Sequence, residues 1–255
     1  METSIKNELT VDTFIFVHDQ EIILDFVSKN KFNDFKNFKW VFLGDKPYDK
    51  IQKLDNLIIV RNLEHNIEQY PKLTSFTGWY ALHKNNLITS DYVNFFEYDI
   101  NYVPEFVDIN KEMIKRNFDF IGYFPMIISD IVYIKQEQYS IELINSVREK
   151  TGFDITKMIN NLQSNNPRTM WSSSSNSTWK VSELKNYIEW FADHLDNIVK
   201  SNFSGHIHER SLSFYYFMKN LKVFLAQNLM IHVQLNSHGT SPLPPERAKE
   251  LYKLL

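Results

Sequence analysis

Between Asp91 and Asn101 the chain reads Asp-Tyr-Val-Asn-Phe-Phe-Glu-Tyr-Asp-Ile-Asn, and no other stretch constrains the fold as strongly. Tyr92, Val93, Phe95 and Phe96 form a nearly continuous apolar run, the pattern of a strand buried on both faces. The run ends in two carboxylates, Glu97 and Asp99, with Tyr98 between them. Residues i and i+2 of a strand point the same way. Extended geometry through Asp99 therefore sends both carboxylates out of one face, at the strand's exit. Two anionic oxygen donors there suit a hard divalent cation, Mg²⁺ or Mn²⁺.

Three earlier runs share this form. Thr13 to Val17 is apolar and stops at His18-Asp19, with Ile22, Ile23, Phe26 and Val27 following at helical spacing and Asp19 as a good N-cap. Lys39 to Leu43 is closed by Gly44-Asp45, and Asn56 to Val60 by Arg61-Asn62. Strands and amphipathic helices in this order predict an α/β fold with a mostly parallel central sheet flanked by helices. Helices are expected over 75–85, 104–116, 136–150, 182–200, 209–220 and 245–255. Strands are expected over 118–124 and 131–134, and a return to the sheet over 221–235. The Ser/Asn-rich stretch 160–178 reads as a long loop anchored by Trp171 and Trp179, residues 203–208 as a turn, and 236–241 as a loop. There is no internal repeat and no linker, so 1–255 reads as one domain.

Composition excludes several classes. The net charge of 28 − 31 = −3 gives no case for a nucleic-acid binder. With no cysteine, disulfides, thiolate metal sites and a Cys nucleophile are ruled out. The N-terminal stretch is polar and lacks a signal-peptide core, and no apolar run approaches the about 20 residues of a membrane span. A soluble, cytoplasmic protein is expected.

Open parallel sheets bind ligands at the carboxyl ends of their strands. The exits His18-Asp19, Gly44-Asp45, Arg61-Asn62 and Glu97/Asp99 all belong on that edge, the arrangement of a nucleotide site with a metal on the diphosphate. Neither Gly-x-Gly-x-x-Gly nor Gly-x-x-x-x-Gly-Lys-Ser/Thr occurs, which counts against dinucleotide-binding dehydrogenases and P-loop NTPases. The first strand with its polar exit, the aromatic segment Thr77-Gly78-Trp79-Tyr80 and the Glu97-Tyr98-Asp99 strand end resemble a GT-A-type glycosyltransferase. In that family an Asp-x-Asp motif, sometimes Glu-x-Asp, holds Mn²⁺ or Mg²⁺ on the diphosphate of a nucleotide sugar. The segment His206-Ile207-His208-Glu209-Arg210 resembles a late His/Glu-Arg segment of capsular-polysaccharide glycosyltransferases.

The resemblance implies a metal-dependent, hexosyltransferase-like enzyme that moves a sugar from a nucleotide-sugar donor, a UDP-sugar favoured, to a saccharide or glycan acceptor. Residues 1–101 would form the donor half and 102–255 the acceptor half. Val17, His18, Asp19, Arg61, Lys84, Glu97 and Asp99 are expected on the donor. Glu97, Asp99 and His238, the last from a C-terminal loop, are the expected metal ligands. Trp171, Asn176, Trp179 and His208 are expected on the acceptor, indole faces suiting sugar rings and amides reading hydroxyls. An inverting enzyme needs a general base, for which Glu209 is the first choice and Asp130 the second; a retaining one requires no strong base, and the sequence does not choose between them. Two other readings stand beside this one. A nucleotidyltransferase would also want paired carboxylates, but the acidic Asp19-Gln20-Glu21 replaces the Gly-rich basic loop usual there. A non-catalytic carbohydrate-binding protein would explain the tryptophans but not the carboxylate pair.

Overall fold

The computed structural model describes residues 9–127, 139–172 and 174–232. The expected strand at 131–134, loop at 236–241 and terminal helix lie outside these.

In chain order the elements are β1 (Val11–Val17), α1 (Gln20–Ser28), β2 (Phe38–Phe42), β3 (Leu57–Ile59), α2 (Ser75–Lys84), β4 (Tyr92–Glu97), β5 (Ile100–Tyr102) and α3 (Phe106–Lys115). There follow β6 (Phe120–Gly122), β7 (Pro125–Ile127), α4 (Ile141–Thr151), α5 (Ile155–Asn165), β8 (Met170–Ser172) and β9 (Ser177–Lys180). The last are α6 (Val181–Ala192), α7 (Leu195–Ile198), α8 (Ser204–Lys219), β10 (Val223–Leu225) and β11 (Met230–His232). Among the described residues none of the helices is long and apolar enough to cross a membrane.

The central sheet has seven strands in the order β10-β6-β9-β4-β1-β2-β3. All are parallel except β9, which runs antiparallel to both β4 and β6. Two small antiparallel pairs, β5 with β11 and β7 with β8, lie outside it. The strand period of two sorts the core into two layers. Phe14, Phe16, Val93 and Phe95 face a cluster shared with Trp79, Tyr187 and Leu212. Ile15, Val17, Tyr92 and Phe96 face the opposite cluster, with Phe26, Trp40 and Phe106. Helix α2 lies so close to β1 that a Cβ on Gly78 would come within 2.6 Å of the Phe16 ring, so glycine is required there.

Two expectations need correction. Residues 160–178 are not a long loop: they hold the end of α5, all of β8 and the start of β9. Ser177 and Thr178 read as loop residues because they are polar, yet both are fully buried. The hydroxyls are satisfied inside. Thr178 Oγ1 donates to Asn94 Oδ1 at 2.6 Å, Ser177 Oγ to the Ser175 carbonyl at 2.8 Å, and Asn110 Nδ2 reaches Asn94 Oδ1 at 2.9 Å. A polar strand can be central when its side chains bond one another. The turn expected at 203–208 is likewise helix: α8 begins at Ser204, whose hydroxyl donates to the Ile198 and Ser201 carbonyls, both at 2.9 Å.

Candidate functional site

The order of strand addition reverses between β1 and β4, and a crevice at their carboxyl ends is where such sheets take ligands. The ends of β1, β2, β3 and β4 do line one edge. Val17 closes β1, is 1% exposed, and accepts the Leu43 backbone N–H at 2.8 Å. The His18 ring meets Tyr98 edge-on at 5.1 Å, bridging the switch point. Asp19 caps α1 through the Glu21 N–H at 3.0 Å and pairs with Lys46 at 2.8 Å; the Lys46 hydrogen bond holds its carboxyl below the usual range. Arg61 lies over the Tyr48 ring at 4.5 Å and donates to the Gly44 and Lys46 carbonyls at 3.4 and 3.2 Å.

Glu97 is the last residue of β4, whereas Tyr98 and Asp99 form a turn into β5. Asp99 therefore reaches the edge by a turn and not by strand alternation. Each carboxylate is braced. The Glu97 backbone N–H donates to Asn176 Oδ1 at 2.7 Å, and Ser175 Oγ donates to Glu97 Oε1 at 2.7 Å. His232 of β11 brings Nδ1 to 3.8 Å from Asp99 Oδ2 and stacks on Phe124 at 4.1 Å. Lys31 Nζ donates to the Tyr98 carbonyl at 3.3 Å and sits over the Phe26 ring at 4.1 Å; burial pulls its amine down to about 8, against the pull of Asp99.

Helix α8 brings a third carboxylate. Burial, with repulsion from Asp99, pushes Glu97 up. Burial also pushes Glu209 up to about 7; Arg210 opposes this, and the charges of Glu97 and Asp99 add to it. Glu209, Glu97 and Asp99 thus feel one another across the sheet edge. Glu209 is held by Arg210 and has His206 Nδ1 at 3.8 Å, with 26% of its side chain exposed. It stands in the second turn of α8, too far in to serve mainly as a partner for the helix dipole.

Among the described residues no group of three or more His, Asp and Glu forms a ready metal cage. The donors present nevertheless fit a hard cation. Asp99 Oδ1 is buried without a hydrogen-bond partner, and an unsatisfied carboxylate oxygen beside further carboxylates is a costly arrangement that a divalent ion relieves. Mg²⁺ takes one or two carboxylates and fills the rest of its shell with water and phosphate oxygens. His238 and Asp130 lie outside the described residues.

Several expected site residues are elsewhere. Trp179 is fully buried at the sheet centre, 4.7 Å from Phe120 and stacked on Tyr187 at 5.3 Å. Trp171 is 4% exposed within the same core. Neither presents a face to a sugar. Asn176 is fully buried and spends its amide on Ser174 Oγ and the Glu97 N–H, so it braces a carboxylate and reads no hydroxyl. His208 is fully buried against Trp79 at 4.7 Å and Phe76 at 5.1 Å, with burial dropping it to about 3. It is a core residue that exposes no surface to an acceptor. Lys84 ends α2, which runs back against the strands, and pairs with Glu189 at 2.7 Å on the far edge of the sheet. It cannot reach the phosphates of a ligand at the carboxyl ends. Sequence reading missed Ser175, Lys31 and His232. Only His232 left a signal, a histidine closing the Met230-Ile231 strand.

No family model matches the sequence, and no curated protein does. Among solved structures the chain is similar to the WbbM bifunctional glycosyltransferase in its apo form, with a TM-score of 0.58 at 14% identity. The match covers 92% of this chain and 47% of the other, so this chain spans about half the length of that protein. The seven-stranded, mostly parallel sheet with its flanking helices is thus a glycosyltransferase-like fold.

Proposed function

We propose that the protein is a glycosyltransferase of GT-A type that moves a sugar from a nucleotide-sugar donor, a UDP-sugar favoured, to a saccharide acceptor. One observation carries this reading: on a glycosyltransferase-like sheet Glu97 and Asp99 gather at the carboxyl end of β4, beside the β1/β4 switch point, with Asp99 Oδ1 buried and unpartnered, and Glu209, pushed up to about 7 mainly by burial, feels both charges. A base that titrates near neutrality suits removal of a proton from an attacking hydroxyl. In order of chain entry the sheet reads 3-2-1-4-6-5-7 with only the sixth strand reversed, so the donor's diphosphate belongs at the β1/β4 crevice. Mg²⁺ or Mn²⁺ bound by Asp99 and Glu97 would neutralise charge on a leaving diphosphate.

The protein's own groups then have distinct tasks. Ser175 and Asn176 fix Glu97, while Lys31 and His232 hold the turn that carries Asp99. Glu209 takes the acceptor's proton, and Arg210 keeps its carboxylate in place and partly ionised. A carbohydrate-binding module is disfavoured because the tryptophans that suggested it are buried.

Calorimetry with UDP, with and without Mn²⁺, tests the reading. The expected result is metal-dependent binding that Asp99→Ala weakens by at least about tenfold, the loss of one charged ligand. Equal UDP affinity with and without metal, or an unaffected Asp99→Ala, would overturn it.

A further inference from the structure

With Trp171 and Trp179 buried, the acceptor side needs another surface, and α8 supplies one. Among the described residues two Phe or Tyr side chains stand exposed, Tyr70 at 38% and Phe203 at 44%. Phe203 immediately precedes α8 and stacks nearly parallel to the His206 ring, at 16° and 6.2 Å between centroids. Tyr139 closes on the same pair, 4.4 Å from Phe203 and 5.9 Å from His206. His206 is 52% exposed in its side chain, and its Nδ1 stands 3.8 Å from Glu209 Oε2. An exposed ring pair thus runs up to the Glu209 carboxylate.

The shelf is rigid. Lys72 Nζ donates to Asn202 Oδ1 at 2.7 Å, and a Cβ on Gly205 would meet Thr74 Cγ2 at 3.0 Å and the Lys72 carbonyl at 3.1 Å. The first turn of α8 is therefore seated tightly on the segment that leads into α2. Ser204 is tied to the end of α7 through the Ile198 carbonyl and closes the intervening turn through the Ser201 carbonyl. Exposed rings on a backbone held in this way lose little entropy on contact, and their faces match the C–H face of a pyranose better than any charged ligand.

We propose that Phe203 and His206, flanked by Tyr139, form the platform on which a pyranose ring of the acceptor stacks, with one of its hydroxyls directed to Glu209. The assignment of this platform to an acceptor rests on the glycosyltransferase reading; its capacity to bind a pyranose does not. The distance along the shelf selects an acceptor whose terminal ring stacks while its attacking hydroxyl projects past His206.

The test is saturation-transfer NMR on the full chain with methyl glycosides of glucose, galactose, mannose and N-acetylglucosamine. At least one should receive saturation at its C–H protons. Phe203→Ala should weaken its affinity about tenfold and Phe203→Trp should restore it, as an aromatic contact requires. Circular dichroism on each variant checks the fold, and His206→Ala, at a second exposed position, should show a smaller loss. UDP titration on the same samples separates the two readings. Pyranoside binding on the shelf without UDP binding breaks the functional reading and leaves the shelf. UDP binding with no pyranoside signal in the wild type, or with a signal unchanged in Phe203→Ala, overturns the shelf alone.

Discussion

His208 and Glu209 are neighbours on one helix, and burial moves them in opposite directions. His208 faces Trp79, Phe76 and Phe191, has no partner for either ring nitrogen, and falls to about 3. Glu209 faces the sheet edge, keeps Arg210 as a partner, and rises only to about 7. Desolvation disfavours the charged form in both cases. What separates them is the neighbourhood: a sealed aromatic box leaves a group permanently neutral, whereas a wet edge with one cation and two carboxylates leaves a group that changes charge near pH 7. The first arrangement builds a core and the second can do chemistry. One residue of sequence, about 100° of helix, divides the two roles.

The largest effect should come from removing the titrating group. Glu209→Gln keeps the shape and the contact to Arg210 but cannot accept a proton. Turnover with a nucleotide sugar and its acceptor should fall by about 10²- to 10⁴-fold. UDP affinity should hold or improve slightly, because a charge that repels diphosphate is gone. In the wild type the rate should rise with pH along a limb set by Glu209, at or below about 7 because a cation on Glu97 and Asp99 offsets their repulsion, and that limb should disappear in the variant. Turnover within a few-fold of wild type would make Glu209 structural and dissolve the contrast with His208.

Stability against pH sharpens the same comparison, because the two groups have opposite signs. The folded pKa of His208 lies below that of the unfolded chain, so the unfolded state binds more protons between about pH 6.5 and 3, and stability is lost as pH falls through that window. The folded pKa of Glu209 lies above the unfolded value, so the native state binds more protons between about 4.5 and 7, and stability is lost as pH rises through it. His208→Leu should therefore flatten the acid limb of a urea-denaturation profile, by on the order of 2–4 kcal/mol at pH 4 relative to pH 8. Glu209→Gln should flatten the neutral decline, by on the order of 1–3 kcal/mol at pH 8 relative to pH 5. If either substitution shifts the profile uniformly, that residue is not the group that titrates.

Much of the sheet was legible because its strands are apolar on both faces. Residues 13–17, 39–43, 56–60 and 92–97 carry that signature, and each ends in residues that cannot continue it. The antiparallel strand β9 was not legible, since Thr178 satisfies its hydroxyl with partners far away in sequence, Asn94 and Tyr123, and Ser177 turns its own back on the Ser175 carbonyl. The same blindness misplaced the tryptophans. An indole in a serine-rich stretch looks exposed only if the serines are, and Ser172, Ser174, Ser175 and Ser177 are all buried. For the site, Glu97, Asp99 and Glu209 could be picked out one by one as acidic residues at element ends. That α8 brings Glu209 within range of the charges of Glu97 and Asp99, and that β11 sets His232 beside Asp99, depends on chain crossovers that no local pattern encodes.

The smallest effect should separate a phosphate-binding lysine from one that only ties helices together. Lys84 was a reasonable donor residue in sequence, on a helix leading to the strand that carries the carboxylates. In the fold that helix runs antiparallel to β4, and its last turn lies at the opposite edge of the sheet, where Lys84 and His83 both reach Glu189, at 2.7 and 2.6 Å. Glu189 is half exposed, so the pair is worth no more than about 1 kcal/mol. Lys84→Ala should leave metal-dependent UDP affinity within about twofold and lower stability by at most that amount, less at high salt. A tenfold loss of UDP affinity without unfolding would mean that phosphate is held at the amino ends of the strands. The crevice between β1 and β4 would then have to be given up as the donor site, and with it the contrast between a wet edge around Glu209 and a sealed box around His208 as the distinction between chemistry and core.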